Sequence, residues 1–194
     1  MITINTVRSG PAGKTKPIAL KKISAADAVV ADAVNASALG DVLLPFCAAG
    51  DAVKNQDLVD ARGLIEGELA ARAAARRQKA DLDRLTAMLV LTPEELADAA
   101  TYAKRDLEFH REVARVAGNS FLALMHEAFC VHVEKFLVQP LRSRRKREDA
   151  LARHRPIIDA IAAGDADRAR ELARTHAQAC LCAATSNTRR KLAP

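Results

Sequence analysis

Between Asp57 and Gln78, the residues Leu58, Ala61, Ile65, Leu69 and Arg72 recur at intervals of three and four. That spacing places them on one stripe of a long helix, and such a stripe must be covered by other elements. The rest of the chain offers helices for the purpose and no sheet. Lys79–Leu91 carries Leu82, Leu85 and Leu89 on an inner face. Thr92-Pro93-Glu94-Glu95 is a strong helix start: Thr caps, Pro takes the first helical position and Glu95 stands at the capping-box position. The helix it opens runs to about Ala117 and ends at Gly118-Asn119, both suited to a left-handed cap. Ser120 begins another, to about Leu141. A helix from about Glu148 to Ala163 follows, then a Gly164-Asp165 turn and a last helix to about Arg190.

No alternating strand pattern occurs after residue 7. Aromatic residues make up only 3% of the chain against 49% hydrophobic residues, with no Trp. Such small apolar side chains suit closely packed helices better than sheets. The fold class is therefore all-α, an antiparallel helical bundle.

The front of the chain differs. Residues 1–23 contain Gly10, Pro11, Gly13 and Pro17 among scattered lysines and read as a loose tail. Ser24 would cap a short Ala-rich helix to about Ala36, and residues 39–54 form a weak helix with a break at Pro45 or Gly50. This divides the chain into a basic segment, 1–36, and a helical domain, 37–194. Gly13-Lys14-Thr15 resembles the end of a phosphate-binding loop, but Arg8 stands where that loop needs Gly, and Pro17 would break the following helix.

No apolar run reaches the ~18 residues needed to cross a bilayer, and no secretory pattern opens the chain. The expected location is cytoplasmic. Cys180 and Cys182 are two residues apart, so on a helix their sulfurs point to different sides; they read as small apolar residues, like Cys47 and Cys130. The net charge of +6 owes much to Arg142, Arg144, Arg145, Lys146 and Arg147, and to Arg189, Arg190 and Lys191. Without interleaved aromatic residues the first run reads as a solvated connection between helices, with DNA contact as the other reading.

Three of the five histidines have informative places. Asp106 and His110, four apart on one helix, share a face and make a chelating pair. His154 and His176 stand on the last two helices, each eleven residues from Asp165 in the turn between them. Equal arms along an antiparallel pair bring them to one height, roughly 16 Å from the turn. Together the four residues suit Zn²⁺, Ni²⁺ or a similar ion rather than Ca²⁺ or Mg²⁺. Each His taken singly suits a buried or surface structural role equally well. His126 and His132, six apart and on opposite helix faces, read as structural or exposed.

At these residues the sequence resembles a known family. Leu58-Val59-Asp60-Ala61-Arg62-Gly63-Leu64-Ile65-Glu66, Asp106-Leu107-Glu108-Phe109-His110 and Ala117-Gly118-Asn119 look like the FCD domain. So do His154-Arg155-Pro156-Ile157, Ala160-Ile161, Gly164-Asp165, Ala169 and His176. The FCD domain is the effector-binding part of GntR-type transcription regulators of the FadR subfamily. The likeness covers about residues 40–190. It implies six or seven helices around a central cavity, with Asp106, His110, His154 and His176 holding one divalent metal, Zn or Ni. It further implies a small organic acid as effector, with Arg62 taking its anionic group and Asn119 nearby, and a homodimer. On bare residue chemistry, Arg62 equally suits a salt bridge with Glu66, and Asn119 a helix cap.

The resemblance implies a sensor, not an enzyme. The family's winged helix-turn-helix has no recognisable counterpart in residues 1–40, so DNA is expected as a partner only through a head not evident here. That head would be lost, or precede a start placed too late, or be absent from a stand-alone binding protein. A metal-dependent hydrolase or lyase is a second reading, against which no spare base stands near the set, because Glu108 and Glu112 point elsewhere on the helix. A purely structural metal module is a third.

Overall fold

The computed structural model describes residues 38–41, 52–137, 141 and 143–191, with side chains described at 38–41, 56–130, 141 and 143–179. Beyond a single helical turn at 38–41, the helices in chain order are α1 (Ala52–Arg76), α2 (Lys79–Ala87), α3 (Pro93–Ala97), α4 (Ala99–Ala117), α5 (Ser120–Leu137), α6 (Arg144–Ala163) and α7 (Ala166–Lys191). No strand occurs among the described residues, so the fold is the all-α bundle the sequence implies. The expected helix at Ser24–Ala36 and the breaks at Pro45 and Gly50 lie outside the described residues.

Small residues decide how the two longest helices meet. Gly63 and Gly67 lie one turn apart on α1 and face α7. A Cβ at Gly67 would stand 2.9 Å from the Arg170 carbonyl oxygen, and one at Gly63 3.4 Å from that of Arg174. Ala70, Ala73 and Ala74 on α1, with Ala169, Ala173 and Ala177 on α7, are buried. Backbones can approach this closely only where side chains are so short, which is the use to which the alanine-rich composition is put.

The ends of α1 and its neighbours are tied by two adjacent arginines. Arg76 Nη1 donates to the carbonyls of Ala117 (3.1 Å) and Gly118 (2.8 Å), at the C-terminus of α4. Arg77 Nη2 donates to the carbonyl of Ala162 (3.2 Å), at the C-terminus of α6. Both helices end in a left-handed glycine, Gly118 at φ 62° and Gly164 at φ 77°. A guanidinium beside such a cap meets carbonyls that the helix leaves without partners.

Thr92 forms the expected capping box: its side chain accepts from Glu95 N at 3.2 Å, while Glu95 Oε2 accepts from Thr92 N at 2.8 Å. The helix it opens is shorter than expected. Asp98 leaves helical geometry (φ −89°, ψ 122°) and accepts from Thr101 N at 2.6 Å, so α3 ends there and α4 begins. A short acidic side chain competes for backbone donors, and here the competition wins. The break frees the carbonyls of Leu96 and Ala97, which Arg147 takes at 2.6 and 2.7 Å, with that of Leu141 at 2.6 Å.

Arg147 is only 3% exposed, which corrects the solvated reading for that residue alone; Arg144, Arg145 and Lys146 are exposed as expected, but on a helix rather than a connection. Arg144 to Arg147 form the first turn of α6, capped by Ser143, whose Oγ accepts from Lys146 N at 3.2 Å. Positive charge at a helix N-terminus is unfavourable. The three carbonyls that Arg147 satisfies, one buried and two part-buried, offset that cost.

Among the described residues two larger apolar clusters and a smaller one, of Leu69, Ala114 and Ala117, fill the interior. Of the larger two, one gathers Ala70, Leu85, Phe109, Val113, Ile157 and Ile161; the other gathers Val59, Tyr102, Leu107, Phe129, Leu141 and Ala150. The polar residues singled out above fall at the seam between them. On α4, Asp106 and His110 lie between Ala103 of the second cluster and Val113 of the first. On α6, His154 lies between Ala150 and Ile157.

Candidate metal centre

Four side chains from three helices converge at that seam. α4 supplies Asp106 and His110, α6 supplies His154 and α7 supplies His176; all are buried, at 2–4% exposure. One donor atom from each lies within 4.8 Å of the others. His176 Nε2 is 3.2 Å from His110 Nε2 and 3.1 Å from His154 Nε2. His154 Nε2 is 3.2 Å from Asp106 Oδ1, and His110 Nε2 is 3.9 Å from Asp106 Oδ2. The equal arms about Asp165 thus bring His154 and His176 into contact as expected.

The electrostatics leave this cluster short of a positive centre. Burial is the largest influence on His110 and outweighs Glu66 and Asp106, pushing its pKa down to about 4. Burial, then His154 and His110 beside it, hold His176 well below the usual histidine range. Both rings are therefore neutral at neutral pH and offer lone pairs. Burial opposes the charge of Asp106, but His154, His110 and His176 outweigh it and keep the group well below the carboxylate range. Neither oxygen of this buried carboxylate receives a hydrogen bond; His154 is close but not aligned for one. Buried polar atoms without partners are costly. Three imidazole nitrogens and an unsatisfied carboxylate facing one point are the donor set of a Zn²⁺-like or Ni²⁺-like cation. The residues present fit such an ion.

A second layer of ionisable groups stands behind His110. Its Nδ1 lies 3.3 Å from Glu66 Oε2, and Arg62 Nε donates to Glu66 Oε1 at 2.5 Å. Burial favours the neutral acid at Glu66, but Arg62, His110 and His126 together hold it well below the carboxylate range. His126 Nε2 is 3.5 Å from Glu66 Oε1, and Cys130 Sγ is 3.6 Å from both ring nitrogens of His126. Burial disfavours charge on His126, yet Cys130 and Glu66 outweigh it and raise the pKa to about 10. Phe109 stacks on the His154 ring, centroids 4.2 Å apart, and closes that side to water.

Arg62 is 1% exposed and makes the salt bridge with Glu66 that sequence chemistry allowed. Asn119 is half-buried and acts as a cap: its Oδ1 accepts from Leu122 N at 3.0 Å, opening α5. A narrow cavity bordered by Glu66, Phe109, His110, Val113 and Ile157 has room for about one water molecule; neither Arg62 nor Asn119 lines it. Sequence reasoning missed Glu66 and His126 as neighbours of the cluster. The available signal was the Arg62–Glu66 spacing, which puts both on one helix face.

Residues 57–179 match the family described as the FCD domain. The chain is 30% identical over 117 residues to the HTH-type transcriptional repressor NanR of Cronobacter sakazakii, covering 59% of this chain and 45% of that protein. It is 33% identical over 138 residues to a probable D-xylose utilization operon transcriptional repressor of Paenarthrobacter nicotinovorans, covering 69% and 60%. A putative L-lactate dehydrogenase operon regulatory protein of Escherichia coli is 30% identical over 129 residues, covering 62% and 47%. The chain spans about half the length of the curated relatives it matches. These relatives are repressors and regulatory proteins rather than enzymes, in line with the reading of this chain as a non-enzyme. Among the described residues no helix is long and apolar enough to cross a membrane. With the family match extending over more than half of its length, the chain belongs to the FCD domain family of GntR-type transcription regulators.

Proposed function

We propose that this chain is the metal-dependent effector-sensing and dimerisation part of a GntR/FadR-type regulator. Asp106, His110, His154 and His176 hold one divalent ion, Zn²⁺ or Ni²⁺, and a small organic acid is the effector. The observation that carries the reading is the convergence of three Nε2 atoms on the unsatisfied Asp106 carboxylate. The ion supplies a Lewis-acidic positive centre for a carboxylate ligand.

The chain's own residues would do the rest. Arg62, buried one helical turn from Glu66, offers a guanidinium suited to a carboxylate. Asn119 would contribute through its amide nitrogen, since its oxygen already caps α5. Phe109 keeps the site dry, which strengthens every charge interaction there. Admission of an acid would require the narrow cavity beside His110 to widen, and that movement is the natural source of a signal. In a homodimer it would shift the relative placement of two DNA-binding heads over their half-sites. The cytoplasm, where DNA is found, is the location this role requires.

Thermal melting against a panel of small carboxylates tests the proposal. One or more acids should raise the melting temperature of the metal-loaded chain and leave the chelator-treated chain unmoved, with a weaker response in Arg62→Lys. An equal response with and without metal would refute the role of the ion. Metal-dependent melting with no acid responding would favour a structural metal instead.

A further inference from the structure

The four candidate ligands come from α4, α6 and α7, yet the group that addresses one of them from behind comes from α1. We propose that Glu66 is a positioning residue of the metal centre, fixing the tautomer and direction of His110. The inference rests on the metal reading above.

A neutral imidazole carries one N–H and one lone pair, and a metal takes only the lone pair. His110 Nε2 faces the cluster, 3.2 Å from His176 Nε2, so its proton belongs on Nδ1. The atom waiting there is Glu66 Oε2, 3.3 Å away and without a hydrogen bond of its own, so that a small turn of the ring would let it accept from Nδ1. Carboxylates that accept from the outer nitrogen of a ligating histidine hold its ring in place and raise its basicity.

Glu66 is itself built to remain an anion. It is 3% exposed, far too buried to stay charged unaided. Arg62 Nε donates to its other oxygen at 2.5 Å, and His126 Nε2 stands 3.5 Å from that same oxygen. The two oxygens thus have separate duties: Oε1 is held by cations, and Oε2 is left for His110. Gly67, next in sequence, lets α1 lie against α7 with only 2.9 Å between a notional Cβ and the Arg170 oxygen.

The test uses the whole chain, stripped of metal and titrated with Zn²⁺ against a competing chelator and with Co²⁺ as a spectroscopic probe. Glu66→Gln should weaken Zn²⁺ binding by roughly 10–100-fold and shift the Co²⁺ absorption bands, with stoichiometry unchanged. His176→Ala should abolish stoichiometric binding. Because Glu66→Gln leaves Arg62 without its counter-charge and endangers the fold, the wild-type chain supplies a second arm. Nitrogen-15 NMR of the zinc-loaded protein should show His110 protonated at Nδ1 and metal-bound at Nε2. A folded Glu66→Gln chain with wild-type affinity and an unchanged Co²⁺ spectrum overturns the proposal, as does ligation by His110 Nδ1. Failure of the wild-type chain to take up metal overturns the metal reading itself, so the two failures are told apart.

Discussion

On the outer side of α4, Glu112 and Arg115 join Asp81 and Arg84 of α2 in a network where every charge faces its opposite. Arg115 donates twice to Glu112 at 2.8 Å and once to Asp81 at 2.5 Å; Arg84 reaches both acids as well. On the inner side of the same helix, Asp106 and His110 meet His154 and His176, nitrogen faces nitrogen, and the carboxylate receives no hydrogen bond. The outer network is half in water and complete. The inner one is buried and incomplete. A helix that satisfies its surface charges this fully, and leaves its buried Asp106 carboxylate without a hydrogen bond, fits the proposed metal at its inner face.

The largest expected effect separates the two regions by their response to metal. Saturating metal at about a thousandfold over its dissociation constant adds about 4 kcal/mol of stability, which for a chain of this size raises the melting temperature by roughly 10 °C. A chelator should reverse this, as followed by circular dichroism. Equal melting with and without metal would dissolve the distinction.

Next in size is Gly67→Ala, which forces a methyl against the Arg170 carbonyl and should cost about 1–3 kcal/mol in denaturant unfolding. It acts on the scaffold shared by both regions, so the loss should appear with and without metal.

Glu112→Gln comes third, with about 0.5–1 kcal/mol lost at neutral pH and no change in metal uptake. Hydrogen bonds and attraction from Arg115 and Arg84 hold Glu112 below the usual carboxylate range; a backbone hydrogen bond from Gln78, then Arg115, does the same for Asp81. Lowered carboxylates stabilise the folded chain above their unfolded values, near 4, and that stabilisation is lost as pH falls through the folded values. The difference between wild type and Glu112→Gln should therefore persist at neutral pH and vanish in acid. A difference that grew in acid would contradict the assignment. Smallest of all is the effect of salt: about 1 M salt, with a screening length near 3 Å, should shrink the Glu112→Gln difference and leave the metal response of the buried cluster nearly intact.

What could be read in the sequence were features set by local chemistry or by counting residues. Thr92-Pro93-Glu94-Glu95 forms its capping box because all its partners lie within four residues. Gly118 and Gly164 end helices because only glycine enters the left-handed region freely. His154 and His176 meet because the turn at Gly164-Asp165 fixes their register. Features set by distant partners could not be read in this way. Asp98 breaks the predicted long helix where Arg147, far along the chain, takes the freed carbonyls. The same contact turns part of a basic run into the start of a helix. Glu66 and His126 join the centre only through the rotation of α1 and α5 against α4, which periodicity does not specify.

The proposed metal site consists of Asp106, His110, His154 and His176. Its most direct test is native mass spectrometry of the chelator-treated chain given one equivalent of Zn²⁺, beside a variant carrying His154→Ala and His176→Ala. One zinc ion retained by the wild-type chain and none by the variant is the predicted result. No retained zinc in the wild type, or equal retention by both, would contradict it.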